Sequence, residues 1–190
     1  MQRVLKAFFL LTALSLTVQS AWADKYSDAL DSFQKAGESG SFFGKAYGYA
    51  LFPSIGKAGM GIGGAHGEGQ VYRGGKQVGN SKMTQVTVGF QLGGQVYSQI
   101  IFFEDERAFT EFTSGNFEFG AQATAVAITA GASAQTSTGG GTSGGVSGGT
   151  KNAGTASAGY HKGMAIFTIA KGGLMYEATL GGQKFSYTPL

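Results

Sequence analysis

The sequence predicts an α+β domain: a compact, mainly antiparallel β structure entered through an amphipathic helix, with one further short helix. Three observations carry that expectation. Residues 24 to 38 place Tyr26, Ala29, Leu30, Phe33 and Ala36 close to the i, i+3, i+4, i+7 spacing of one helix face. From Ala46 onward the apolar period changes to two, the period of a strand. The composition, with 34 Gly, 2 Pro and 13% charged residues among 190, describes one globular domain that is glycine-rich and low in charge.

The chain opens with MQRVLKAFFLLTALSLTVQSAWA, in which Arg3 and Lys6 precede an apolar run from Ala7 to Val18 and Ala21-Trp22-Ala23 supplies small residues around a cleavage point. This pattern predicts a cleavable signal peptide over residues 1–23, its apolar core being too short for a stable bilayer anchor. The expected mature domain is then 24–190, exported to the periplasm or secreted, and peripheral where it meets a membrane. The chain has no Cys, so neither disulfides nor a lipidated cysteine are available and the domain must be stable through its core. Removing the two leader bases Arg3 and Lys6 lowers the formal charge from +3 to +1, so most of the apparent basicity belongs to the leader.

The helix over residues 24 to 38 is expected to end near Gly37. Beyond it, the run KAGMGIGGAHGEGQVYR contains G-x-G-x-x-G at Gly59–Gly64. The odd positions 59, 61, 63, 65, 67, 69 and 71 are Gly, Gly, Gly, Ala, Gly, Gly and Val, and the even positions carry Met60, Ile62, His66, Glu68, Gln70 and Tyr72. A strand that bare on one face invites another backbone or a flat aromatic ring to approach. A dinucleotide loop would instead need this motif to open a helix, where Gly64, Gly67 and Gly69 would each cost about 1 kcal/mol relative to Ala. The acid expected some 20 residues later to hold a ribose is also missing, because Asn80, Ser81 and Lys82 stand there.

Strand character continues through MTQVTVGFQLGG and QVYSQIIFF, and GQVY occurs at both Gly69–Tyr72 and Gly94–Tyr97, suggesting similar arms. EDERAFTEFTSG predicts the second helix, with acids at its N-terminal end and Phe109 and Phe112 turned inward. FEFGAQATAVAITAGA reads as one more strand. Residues 133 to 158 are almost entirely Gly, Ser, Thr and Ala, which predicts a flexible insertion. Its two G-x-S-x-G matches are what low complexity yields by chance, with no strand-to-helix turn to build a nucleophile elbow. GYHKGMAIFTIAKGG and LMYEATLGGQKFSY read as a terminal hairpin around Gly172-Gly173.

Few residues suggest chemistry. His66, Glu68 and His161 could supply at most three metal ligands, without a supporting cluster, and no acid/base pair or activated nucleophile stands out. No enzyme activity, cofactor, metal or nucleic-acid partner is therefore expected. Charge is more informative. Between Lys45 and Lys82 the bases Lys45, Lys57, Arg73, Lys76 and Lys82 meet one acid, Glu68, while Glu104, Asp105, Glu106, Glu111 and Glu118 meet only Arg107. That asymmetry predicts either a positive face for anionic headgroups or a surface whose opposite charges meet in the fold.

The stretches GYALFPSIGKAGMGIGGAHGEGQVY, VGFQLGGQ, IIFFEDERAFTEF and KGMAIFTIAKGGLMYEATLGGQKFSY resemble the SYLF domain family. That family is best known from lipid-binding and actin-binding proteins of yeast, plants and animals, and is abundant in bacteria as exported proteins. The resemblance spans nearly the whole chain after the leader and is densest from Ala50-Leu51-Phe52-Pro53 through Lys57-Ala58-Gly59 to Gly69. It implies an N-terminal helix leading into a compact antiparallel β domain, and binding of phosphoinositides or other anionic lipids through basic surface and the helical segment. Asn80-Ser81-Lys82-Met83 stands where many eukaryotic members carry Trp-Ser-x-Pro. The expected function is an exported, non-enzymatic lipid-binding domain. Its expected lipid contacts are Lys45, Lys57, Arg73, Lys76 and Lys82, and its partner an anionic lipid surface or another protein. Actin is a partner only if the protein reaches a host. A small outer-membrane β-barrel or an actin- or protein-interaction module is the alternative.

Overall fold

A computed structural model describes residues 24–89, 94–120, 126–128, 159–171 and 181–190. The leader over 1–23 and the Gly/Ser-rich insertion over 133–158 lie outside the described residues. The molecule is α+β, with a curled, mostly antiparallel sheet that has seven strands among the described residues. Helix α1 covers residues 24–35. It breaks at Ala36, whose backbone is extended, and a four-residue α2 (Gly37–Gly40) follows, so the helix stops just short of the expected Gly37. Strands β1 (Gly48–Arg73), β2 (Lys76–Gly89) and β3 (Gly94–Phe103) precede α3 (Glu106–Phe112). Then come β4 (Phe117–Glu118), β5 (Val126–Ile128), β6 (Met164–Lys171) and β7 (Gln183–Pro189), and the sheet order is β4-β7-β2-β1-β3-β6-β5.

Strand β1 works as two arms. Its first arm, Gly48 to Ala58, pairs with β3, and its second, Gly61 to Arg73, pairs with β2. The arms face one another about the glycine-rich bend at 59–63. A β-carbon on Gly67 would lie 2.6 Å from Ile55 Cγ1, one on Gly69 2.6 Å from the Phe52 ring, and one on Gly48 2.5 Å from the Tyr72 carbonyl oxygen. The alternation read from the sequence holds along the second arm. Ala65, Gly67, Gly69 and Val71 are buried while Ile62, Gly64, His66 and Glu68 are exposed. The bare face receives the Phe52 ring, which only glycine at 69 admits.

Both faces of the central strands are buried. On one, Phe52, Phe103 and Phe185 pack with Phe109 and Phe112 of α3. On the other, Leu51, Ile100, Phe102 and Phe167 pack under Ala29 and Phe33 of α1 and Phe42 beyond α2. The stripe on α1 thus closes a core here, and α3 turns Phe109 and Phe112 inward as its spacing requires.

One expectation is corrected. FEFGAQATAVAITAGA is not one strand: β4 pairs with β7 at one edge of the sheet, while β5 runs parallel to β6 at the other. The last two described strands lie apart, β6 pairing with β3 and β7 with β2, while residues 172–180, which hold the turn of the expected terminal hairpin and the start of its second arm, lie outside the described residues. The strands flanking β1 have their outer edges free for pairing, and β6 and β7 satisfy one edge each.

Candidate functional site

The curl gives the sheet two ends. At one, Gly48 begins β1, Phe103 ends β3, and the two-residue turn Gly74-Gly75, with φ of +57° and +76°, joins Arg73 to Lys76. At the other lie the bend of β1, the end of β2, the start of β3 and the end of β6.

The five predicted cations divide between these ends. Arg73 and Lys76 are exposed and directly paired across the turn. Arg73 also sits over the Phe109 ring, 5.8 Å from its centroid. Lys45 is exposed and lies just before β1, at the same end, where the Tyr47 amide donates to the Phe103 carbonyl at 2.8 Å. Lys82 stands six residues along β2, about 20 Å from Lys76 at the rise of a strand. There it pairs with Glu68 at 3.5 Å, an exposed pair worth little energetically. Lys57 is half-buried and sits nine residues along β1 from Gly48, about 30 Å away, toward the opposite end. The five residues form no single patch.

The acids that follow β3 bear directly on this division. Glu104, Asp105 and Glu106 succeed Phe103, so they gather at the end that also holds Arg73 and Lys76. The ion pairs of the acidic stretch are Arg107 with Asp105 at 3.9 Å and Glu111 at 3.5 Å, and Glu118 with Lys184 at 3.5 Å. On the strands β1, β2, β3 and β6 the charges remain one-sided, with Lys57, Arg73, Lys76, Lys82 and Lys171 against Glu68 alone. Lys171 escapes sequence reasoning, since it stands apart from the basic segment. Only the β3–β6 register brings it beside Val96.

Half-buried tyrosines join α1 to the second arm. Tyr49 and Tyr72 stack with centroids 4.8 Å apart, Phe43 meets Tyr49 edge-on, and the Tyr26 hydroxyl donates to the Glu68 carbonyl at 3.4 Å. Burial pushes the Tyr26 and Tyr49 phenols up to about 12, with Tyr72 adding to both and Glu68 to Tyr26. Inside the curl, Gln99 Nε2 donates to Gln183 Oε1 at 3.0 Å, and Gln183 Nε2 approaches the Tyr97 hydroxyl at 3.3 Å. Burial holds the Tyr97 phenol at about 12 despite the Gln183 contact, which lowers it. These buried amides satisfy each other, as an interior polar group must.

His66 and Glu68 are both exposed on β1, and His161 lies in the turn before β6. Among the described residues no group of three or more His, Asp or Glu could hold a metal ion. No helix among them is long and apolar enough to cross a membrane.

Residues 84–187 match the family model of Ysc84, described as Las17-binding protein actin regulator, over more than half of the chain. The chain is also 29% identical over 146 residues to Beta cell expansion factor A of Aeromonas veronii, an alignment covering 75% of this chain and 46% of the relative. The match therefore spans about half the length of that curated relative.

Proposed function

Because the chain belongs to the Ysc84 (SYLF) family, we propose that it is an exported, non-enzymatic domain that binds anionic lipid at a membrane surface. The observation that carries this reading is the one-sided charge of the central strands, five cations against the single acid Glu68, which is itself paired with Lys82. A surface potential of that sign attracts anionic headgroups, each Lys or Arg near them contributing about 1 kcal/mol. The export half of the reading is supported by the leader sequence. The non-enzymatic half is supported by the buried Gln99, Gln183 and Ser98, whose side chains are engaged with one another or with backbone.

The outer face argues for a surface-bound domain over a membrane-spanning barrel. Glu68, Lys82 and Lys184 are exposed on it and α1 covers much of the rest, whereas a spanning barrel presents an apolar band. A protein partner is the second reading, favoured by the description of the family as a Las17-binding actin regulator.

Co-sedimentation with vesicles of phosphatidylcholine alone, or of equimolar phosphatidylcholine and phosphatidylglycerol, separates the readings. Lipid binding predicts retention by the anionic vesicles only, and release as salt shortens the Debye length below its value of about 8 Å at physiological ionic strength. No retention by either vesicle excludes the lipid reading and leaves the protein partner.

A further inference from the structure

Three of the four large apolar side chains exposed among the described residues share one end of the sheet: Ile62 at 71%, Val86 at 74% and Val96 at 42%. Val86 lies opposite Gly64, and Ile62 lies opposite Val88, two residues further along β2, so Ile62 and Val86 are diagonal neighbours. Val96 lies opposite Gly56 on one side and Lys171 on the other. Neither glycine is demanded by the fold. A β-carbon on Gly56 would meet nothing within 4 Å, and one on Gly64 only the Gln85 carbonyl oxygen at 3.6 Å. The two valines therefore stand beside positions that leave them uncovered, at a cost to strand stability that folding does not explain.

Charge says what covers them. The opposite end of the sheet mixes Arg73 and Lys76 with Glu104, Asp105 and Glu106. At this end the described residues of the strands carry Lys57 and the exposed Lys171 and no acid, the nearest along β1 being Glu68, four residues beyond Gly64. Exposed aliphatic side chains rimmed by cations fit a surface with acyl chains beneath anionic headgroups. We infer that the domain docks on an anionic lipid surface through this end, with Ile62, Val86 and Val96 entering the acyl boundary and Lys171 beside the headgroups. The inference rests on the lipid-binding reading and adds the orientation.

A tryptophan probe tests it. The chain has one Trp, Trp22, which lies in the leader, so the domain 24–190 accepts a single reporter at Val86 or at Asn80, an exposed position six residues toward the other end of β2. With equimolar phosphatidylcholine and phosphatidylglycerol vesicles, Val86→Trp fluorescence shifts to the blue and is quenched by acyl-brominated lipid, while Asn80→Trp fluorescence is unchanged. Ile62→Thr with Val86→Thr keeps β-branched, exposed residues and so keeps the melting temperature, yet weakens vesicle partitioning by about tenfold. Lys171→Gln weakens it more than Lys76→Gln does. Quenching at Asn80 and not at Val86, or at neither although the vesicles retain the protein, overturns the orientation and leaves lipid binding standing. A lipid-free dimer that the double Thr variant dissolves also overturns it, by showing the patch to be an interface between copies. Loss of all vesicle retention overturns both readings together.

Discussion

Gly69 shows what one missing side chain does. Its position on the inward face of the second arm brings the Phe52 ring within 2.6 Å of where a β-carbon would stand, with the Leu51 carbonyl oxygen at 2.8 Å. One neighbour is a fully buried ring and the other is backbone, so neither can move away cheaply. Gly69→Val should lower stability by roughly 1 to 3 kcal/mol or more, whereas Gly56→Ala, with open space around it, should be neutral or slightly stabilising. Chemical denaturation of the two variants checks this, and equal tolerance would remove the close-approach account. The parity of the glycines was legible in the sequence because alternation needs no knowledge of the partner. Which of them touch a ring was not, since Phe52 reaches Gly69 only through the fold of β1 upon itself.

Elements were legible where local signals suffice. Helix α3 is fixed by Asp105, which is extended at the N-cap and accepts the Ala108 amide at 2.8 Å, and by two phenylalanines three residues apart that enter the core. In a seven-residue helix the cap supplies much of the order, so Asp105→Ala should cost about 1 kcal/mol and should raise amide exchange across Glu106–Phe112 before the sheet is affected. Uniform exchange throughout the domain would show that the cap is not what holds this helix. Strand partners were illegible for the opposite reason. That β6 lies on β3 and β7 on β2 is decided by which edges of β1, β2 and β3 remain unpaired, a property of the assembled sheet.

At the scale of the molecule, the candidate site is less legible than the fold. Five bases lying close in the sequence suggest a patch, but a strand advances about 3.3 Å per residue and carries Lys57 far from Arg73 and Lys76. Lys171, remote in sequence, reaches Val96 through the register of β3 and β6. The family relation, in contrast, was legible because its motifs are local and dense. Burial of tyrosines gives the whole domain an alkaline limit. Tyr26, Tyr49 and Tyr97 are held at about 12 against an ordinary value of 10.0, so the folded state keeps their protons longer than the unfolded chain does. That contribution is complete below pH 10 and disappears as pH rises toward 12, each tenfold gain in proton affinity at the buried Tyr97 corresponding to about 1.4 kcal/mol. Stability should therefore fall through this interval, and Tyr97→Phe should flatten the fall. Denaturant midpoints measured against pH, alongside tyrosinate absorbance, provide the check.

The two cores are completed by strands that lie late in the sequence. Phe33 of α1 shares a buried cluster with Phe167 of β6, and the final strand lies against β2. A polypeptide emerging from a ribosome would carry α1 with its seat incomplete until β6 had been made, and β2 with one edge unpaired until β7 had been made. The apolar side chains that β6 and β7 cover stay accessible to holding chaperones until then, and a nascent chain stalled before β6 should be a better substrate for them than for any folding catalyst.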